Sequence, residues 1–363
     1  MSDYLIVGGG VIGLLTAHEL AKTGASVTLV EMSATGRQSS WAGGGILQPL
    51  YPWHHPGAVN TLALWSQAYY PELMLELLEA TGIDPEYRAS GLMILDAEER
   101  DLALAWGERH QVPVELLDRT QVAAAEPNLG LRLDNALWMP DVAQVRNPRL
   151  MRSLRAALDK RVRIREHEEV MDLRVEQGRV IGVRTTSEQL AAERVVVCAG
   201  AWTAQLLERL GAVPKIRPVR GQIMLFFAKP DQIRQLTLYR EHYIIPRQDG
   251  RVLIGSTHAE DAGFSKTTTS QAKEDLYRFA VELYPLLKRA PIEDHWAGLR
   301  PGSPKGVPYI GAYPGVENLF VNAGHFSNGL VTGPASARLI SDLMLGRPPI
   351  VPPESYALET PRE

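Results

Sequence analysis

Arg300 stands in HWAGLRPGSPKGVPYIG (residues 295–311), with Leu299 before it, Pro301 after it and no acidic residue closer than Asp294. Pro301, Pro304 and Pro308 remove backbone donors and Gly298, Gly302 and Gly306 loosen the chain, so a loop is expected here rather than helix or strand. A loop guanidinium of this kind is met by solvent or by a carboxylate that folding brings in. It can also grip a ligand carboxylate through two parallel hydrogen bonds. Tyr243, in HYIIPRQDGRVLIGST (residues 242–257), has two readings as well: a half-buried sheet tyrosine, or a hydroxyl offered to that same carboxylate.

The second group of residues with chemical meaning is at the start. Residues 4–7 are a short apolar run, read as a buried parallel strand, and they lead directly into Gly8-Gly9-Gly10-Val11-Ile12-Gly13. Leu14, Ala17, Leu20 and Ala21 then share one helical face, Gly24 closes the helix, and residues 26–30 form a second strand that ends at Glu31. Strand, glycines, helix, strand and terminal acid together make a dinucleotide fingerprint, far more specific than the glycines alone. Gly8 permits the tight turn, Gly10 admits a pyrophosphate, Gly13 lets the helix pack closely, and the free N–H groups of the helix start meet the phosphates. Glu31 can accept from a ribose diol.

The segment after Glu31 selects the dinucleotide. GRQSSWAGGGI (residues 36–46) puts Arg37, Ser39, Ser40 and the glycines 43, 44 and 45 where a nicotinamide enzyme normally begins its next helix. It reads as a second phosphate loop whose backbone can lie against a flat ring. With RVVVCAGAWT (194–203), VRGQIM (219–224), the 242–257 segment, the Arg300 segment and FVNAGHFSNGLVTGPASARLISDLM (320–344), the chain resembles the D-amino-acid oxidase family of FAD-dependent amine oxidoreductases from end to end. Within it the similarity is strongest to the bacterial branch that oxidises glycine and feeds the thiazole ring of thiamine.

The resemblance implies an α/β fold: a Rossmann-like FAD-binding domain with a second, largely antiparallel-sheet substrate domain. Residues 1–84, 142–215 and 297–363 are assigned to the first and residues 85–141 and 216–296 to the second. FAD is expected to bind non-covalently through Gly8, Gly10, Val11, Ile12, Gly13, Glu31, Met32, Arg37, Ser39, Ser40, Gly43, Gly44, Gly45, Val170, Gly200, His325, Phe326, Ser327, Asn328, Gly329, Leu330 and Val331. Arg300, Tyr243 and Ser327 are the substrate residues. Ser327, Gly44 and His258 depart from the arginine, apolar residue and methionine that family members carry, and the missing bulk at Gly44 suggests room for an extra methyl group. Glycine, sarcosine and D-alanine are all candidate substrates, with oxygen as acceptor. A quinone-linked D-amino-acid dehydrogenase, a sarcosine oxidase and a non-catalytic flavin-binding or tRNA-modifying protein share these motifs.

The residues themselves agree with that layout. Residues 170–175 and 179–185 alternate about Gly178 as a hairpin, residues 195–198 read as a central strand with Cys198 a small core residue, and residues 318–322 form a strand followed by an apolar helix from 330 to 345. Removing hydrogen from a neutral amine needs no side-chain base, so none is assigned, and His242, His258 and His325 are read as wall residues. His54 and His55 lack a third ligand for a metal. A chain of 363 residues exceeds one ordinary core. Its net charge of −4 gives nucleic acid no general attraction. No run of about 18 apolar residues could span a membrane, and no basic flank or cleavage site marks the start. A cytoplasmic enzyme is expected, with a homo-oligomer open.

Overall fold

The strand Ser2–Val7 lies inside an eight-stranded sheet because it is apolar on both faces, and its last four residues are buried. The computed structural model describes residues 1–362. Parallel strands Val27–Val30 and Gln189–Val197 flank Ser2–Val7, with Val162–Arg165 beyond the first and Leu319–Ala323 beyond the second. Such strands need cover on both faces. Helices Val11–Ala21, Gly57–Thr81, Asn147–Leu158 and Gly333–Leu345 pack on one, through Leu14, Leu62, Leu154 and Ile340 among others. The hairpin of Val170–Glu176 and Arg179–Thr185 packs on the other through Leu173, Val180 and Val183. That hairpin also pairs with the first half of Gln189–Val197, so this strand is antiparallel at its start and parallel at its end.

The second sheet is antiparallel at every pairing but one, and runs 292–302, 217–227, 251–255, 242–246, 236–239, 92–94, 135–139, 115–118. Its side chains alternate between two destinations, as a pleated sheet requires. Met224, Phe226, Ile244 and Ile254 face the helix Ser270–Leu283, where Leu276, Ala280 and Leu283 meet them. Ile223, Tyr243, Ile245 and Leu253 face the opposite way, toward the first sheet. Each large aliphatic side chain buried in these layers contributes about 1.5–3 kcal/mol.

Three local expectations are corrected. The Arg300 segment is not a loop: Ile292–Gly302 is a strand paired with Arg217–Phe227, Arg300 opposite Val219. Pro301 sits opposite Pro218, and the strand lies at the sheet's edge, where an outward position needs no donor. The boundary drawn between 296 and 297 therefore falls inside a strand. Residues 36–46 are not wholly loop, because Ser39–Ala42 forms one helical turn. The last helix begins at Gly333 rather than 330, since Phe326–Asn328 first makes a tighter turn and Thr332 bonds back to the Asn328 carbonyl at 2.8 Å.

Candidate functional site

The parallel strands end on one side of the first sheet, and the turns after them line a cavity of about 400 Å³. Open α/β sheets take their ligands at this edge. Gly8 has φ +107°, and a side chain there would run into the Cys198 carbonyl. Gly13 has no side chain because one would strike the Gly8 carbonyl, which seats the helix on the strand end. At the helix start the Val11 N–H donates to Ser40 Oγ at 2.8 Å, fastening Ser39–Ala42 to it. The Ser39 hydroxyl donates to the Leu299 carbonyl and Trp296 Nε1 to the Ala42 carbonyl at 3.0 Å, so this turn also touches the second sheet. Glu31 is buried; one oxygen accepts from the Gly9 N–H at 2.7 Å and the other from the backbone and hydroxyl of Ser33.

The other end of the cavity is built by the second sheet. Arg300 Nη2 donates to Ser256 Oγ at 2.6 Å and Nη1 to the Thr257 carbonyl at 3.1 Å. A side chain at Gly221 would collide with this guanidinium, so the fork lies flat over a glycine. Among the described residues no carboxylate pairs with Arg300. Burial lowers its pKa from the ordinary value, with Tyr243 opposing, yet a guanidinium remains charged at any physiological pH. Tyr243 is 8% exposed and burial pushes its hydroxyl up, so it stays a proton donor. His325 is buried with Nε2 3.0 Å from Ser336 Oγ, and burial pulls it down to about 3, leaving a neutral ring.

Most of the residues singled out from the sequence line this one cavity: Gly8, Gly10, Val11, Ile12, Glu31, Met32, Ser39, Ser40, the glycines 43–45, Val170, Gly200, His325 through Leu330, Tyr243 and Arg300. Three do not. Gly13 seats the helix on the strand end instead. Val331 is 1% exposed and turned away from the cavity. Arg37 is outside it, its guanidinium 5.3 Å from the centre of the Trp41 ring. Ser327 is exposed at the rim. His258 pairs with Glu260 at 3.2 Å and meets the edge of Phe326, and His54 pairs with Glu99 at 2.6 Å. The room expected at Gly44 is filled: an added Cβ would lie 2.7 Å from Ile245 Cδ1 and 3.0 Å from Tyr243 Cε2.

Asn147, Gln48, Ser256 and Gly221 line the cavity without having been singled out. Gly221 and Ser256 fall inside the VRGQIM and VLIGST blocks; nothing local marks Asn147 or Gln48. The lining also carries buried polar atoms with no partner, Asn328 Nδ2, Asn322 Oδ1 and Asn147 Oδ1. Buried polar groups are nearly always satisfied, so these point to a polar ligand along the whole cleft. A glycine-lined cradle, an acid at the second strand and unpaired amides fit FAD.

This combination, a dinucleotide cleft that opens into a cationic pocket walled by an antiparallel sheet, is the architecture of a flavin-dependent oxidoreductase. The model of the FAD dependent oxidoreductase family matches residues 3–343, and the chain belongs to that family. It is 48% identical over 359 residues to a glycine oxidase from Pseudomonas putida, covering 98% of each chain. It is 32% identical to a bifunctional protein ThiO/ThiG from Nostoc, over 94% of this chain and 52% of that one. Among solved structures, glycine oxidase from Geobacillus kaustophilus superposes with a TM-score of 0.92 at 31% identity, covering 98% of both chains.

Proposed function

We propose that the protein is an FAD-dependent amine oxidase that converts glycine and other small amino acids, sarcosine and D-alanine included, to the imine. Water then hydrolyses the imine to the 2-oxo acid and ammonia or methylamine, while oxygen is reduced to hydrogen peroxide. The observation that carries the reading is Arg300, a charged fork without a carboxylate in a pocket continuous with the dinucleotide cleft. Gly8, Gly10, Val11, Ile12, Glu31, Ser39, Ser40, Asn147 and Asn328 would hold FAD, which when bound supplies the acceptor of two electrons and a hydrogen from the substrate's α-carbon. Arg300 grips the substrate carboxylate and the Tyr243 hydroxyl donates to it, which fixes where the α-carbon lies. Ile223 and the Tyr243 ring form an apolar wall on the same side and keep water from that position. A substrate that enters as the neutral amine asks no side chain for a base, consistent with His325 being neutral and already bonded to Ser336.

The fused Nostoc relative favours a place in thiamine assembly, where the imine of glycine contributes to the thiazole ring. The test is to add glycine to the yellow protein without oxygen. Bleaching followed by recovery of colour and release of peroxide in air is expected. Bleaching with no recovery in air would replace oxygen by another acceptor, and a flavin that glycine, sarcosine and D-alanine all leave oxidised would overturn the reading.

A further inference from the structure

Among the described residues Arg247, like Arg300 and Arg220, forms no salt bridge, and of these three arginines at the second sheet it alone is buried. It comes directly after the strand His242–Pro246, and Tyr243, Ile245 and Arg247 point to one side because side chains in an extended chain alternate. All three meet the glycine segment 43–45. Ile245 and Tyr243 close over Gly44, and Arg247 Nη2 donates to the Gly44 carbonyl at 2.6 Å. Its Nη1 donates to Gln144 Oε1 at 2.6 Å and to the Val145 carbonyl at 2.9 Å. At Gly45 an added Cβ would strike the Val145 carbonyl first and then meet Asn147 Oδ1 at 2.6 Å and Arg247 Nη2 at 3.2 Å, so the glycine backbone packs close to the guanidinium and to the carbonyl that it also binds.

The charge is not neutralised where it stands. Arg247 is 7% exposed and its Nε has no partner. Glu86 and Asp249 act on its charge only from a distance, without a salt bridge to it, and are engaged by other arginines: Arg146 reaches Glu86 at 3.2 Å and Asp249 at 2.8 Å, and Arg251 reaches Asp249 at 2.9 Å. Burying a guanidinium against neutral carbonyls carries a large desolvation cost. A buried cation is favourable once negative charge develops nearby. Gly44 and Gly45 line the cavity beside Tyr243 and Arg300, whereas Arg247 stands behind them.

We propose that Arg247 is a positioning residue for the reaction: it sets the backbone of residues 43–45 against Tyr243 and holds a positive charge one peptide behind the cavity wall, favouring two-electron reduction of the bound cofactor. The inference rests on the oxidase reading, but its decisive readout, the reduction potential of the bound flavin, requires no amine. Two-electron reduction adds negative charge to the ring, and a charge held close to a cofactor is one of the means by which a protein tunes its electronics.

Arg247→Met removes the charge at similar volume; Arg247→Gln removes it while keeping an amide donor for the Gly44 carbonyl; Arg247→Lys keeps it. In reference-dye titrations of the flavin-loaded proteins, the neutral variant that folds should lose at least tenfold in the equilibrium constant for reduction, about 30 mV for a two-electron couple. Arg247→Lys should stay within threefold of the parent. With glycine, kcat of the neutral variant should fall tenfold or more while KM moves less than threefold. A neutral variant with the parental potential would overturn the proposal. So would equal shifts in the lysine and neutral variants, or a raised KM with unchanged kcat, which would make Arg247 part of the substrate grip. Protein isolated without any flavin would instead count against the oxidase reading.

Discussion

A guanidinium half-withdrawn from water with only a hydroxyl and a carbonyl for company is costly, and Arg300 is kept in that condition by residues that leave it no acid. Hydrogen bonds to a charged group are worth about 1.5–3 kcal/mol each, so loss of a two-pronged grip on a carboxylate should remove about 3–5 kcal/mol of transition-state binding. Arg300→Ala is therefore expected to lower kcat/KM for glycine by at least a hundredfold while flavin content holds steady, measured by peroxide release and flavin absorbance. An unchanged kcat/KM would exclude the clamp. His325 gives a second prediction. Its pKa is depressed from an ordinary 6.5 to about 3, so the unfolded chain takes up the proton first as the pH falls. Stability from this group is complete above about pH 6.5 and declines through the interval down to about 3, by up to about 1.4 kcal/mol per pH unit. Urea denaturation of His325→Gln between pH 7 and pH 5 should show a shallower acid decline than the parent; parallel slopes would mean the histidine is not held neutral.

At the scale of elements, two glycines face each other across one strand pair and guard different things. Gly221 pairs with Gly298 in the register of Arg217–Phe227 and Ile292–Gly302. A methyl at Gly221 collides with the Arg300 guanidinium, whereas one at Gly298 comes 2.7 Å from the Ala42 Cβ in the turn that fastens to the Val11 N–H. Gly221→Ala should thus raise KM for glycine tenfold or more with FAD affinity little changed, and Gly298→Ala should weaken FAD binding first, as measured by flavin-release titration. The reverse pattern would contradict the assignment of the two cavity ends. The strand–glycine–helix start and the 170–185 hairpin were legible because each is a local pattern with one steric solution. The strand holding Arg300 was not: prolines and glycines report local conformational cost, whereas a strand forms when a distant partner, here residues 217–227, supplies its bonds. The supposed room at Gly44 failed for the same reason. Bareness of one residue says nothing about Ile245 and Tyr243, which reach that spot from another sheet. Asn147 and Gln48 likewise become cavity residues only when the layers close.

For the whole molecule, the cavity is the seam between the two sheets, and few polar contacts cross it. Ser39 bonds to Leu299, Trp296 to Ala42, and Arg247 to Gly44, each joining a glycine-rich turn of the first sheet to a strand or strand end of the second. A ligand running the length of that seam touches both sides and so stabilises the folded chain as a unit. Covalent attachment to cysteine is disfavoured: the one thiol, Cys198, lines the cavity just after the strand Gln189–Val197 but is buried, and burial pushes it up to about 12, leaving little thiolate at neutral pH. Precipitation with acid should therefore leave the yellow colour in solution. Returning FAD to the stripped protein at a hundred times its dissociation constant should contribute about 2.7 kcal/mol, which for a chain of this size corresponds to about 3–5 °C in Tm. Calorimetry should show both sheets melting in one transition that moves upward with FAD concentration. Colour retained in the pellet would refute the non-covalent mode. Two transitions, with FAD moving only one, would show that the cofactor is held by the first sheet alone and that the contacts across the seam do not couple the layers.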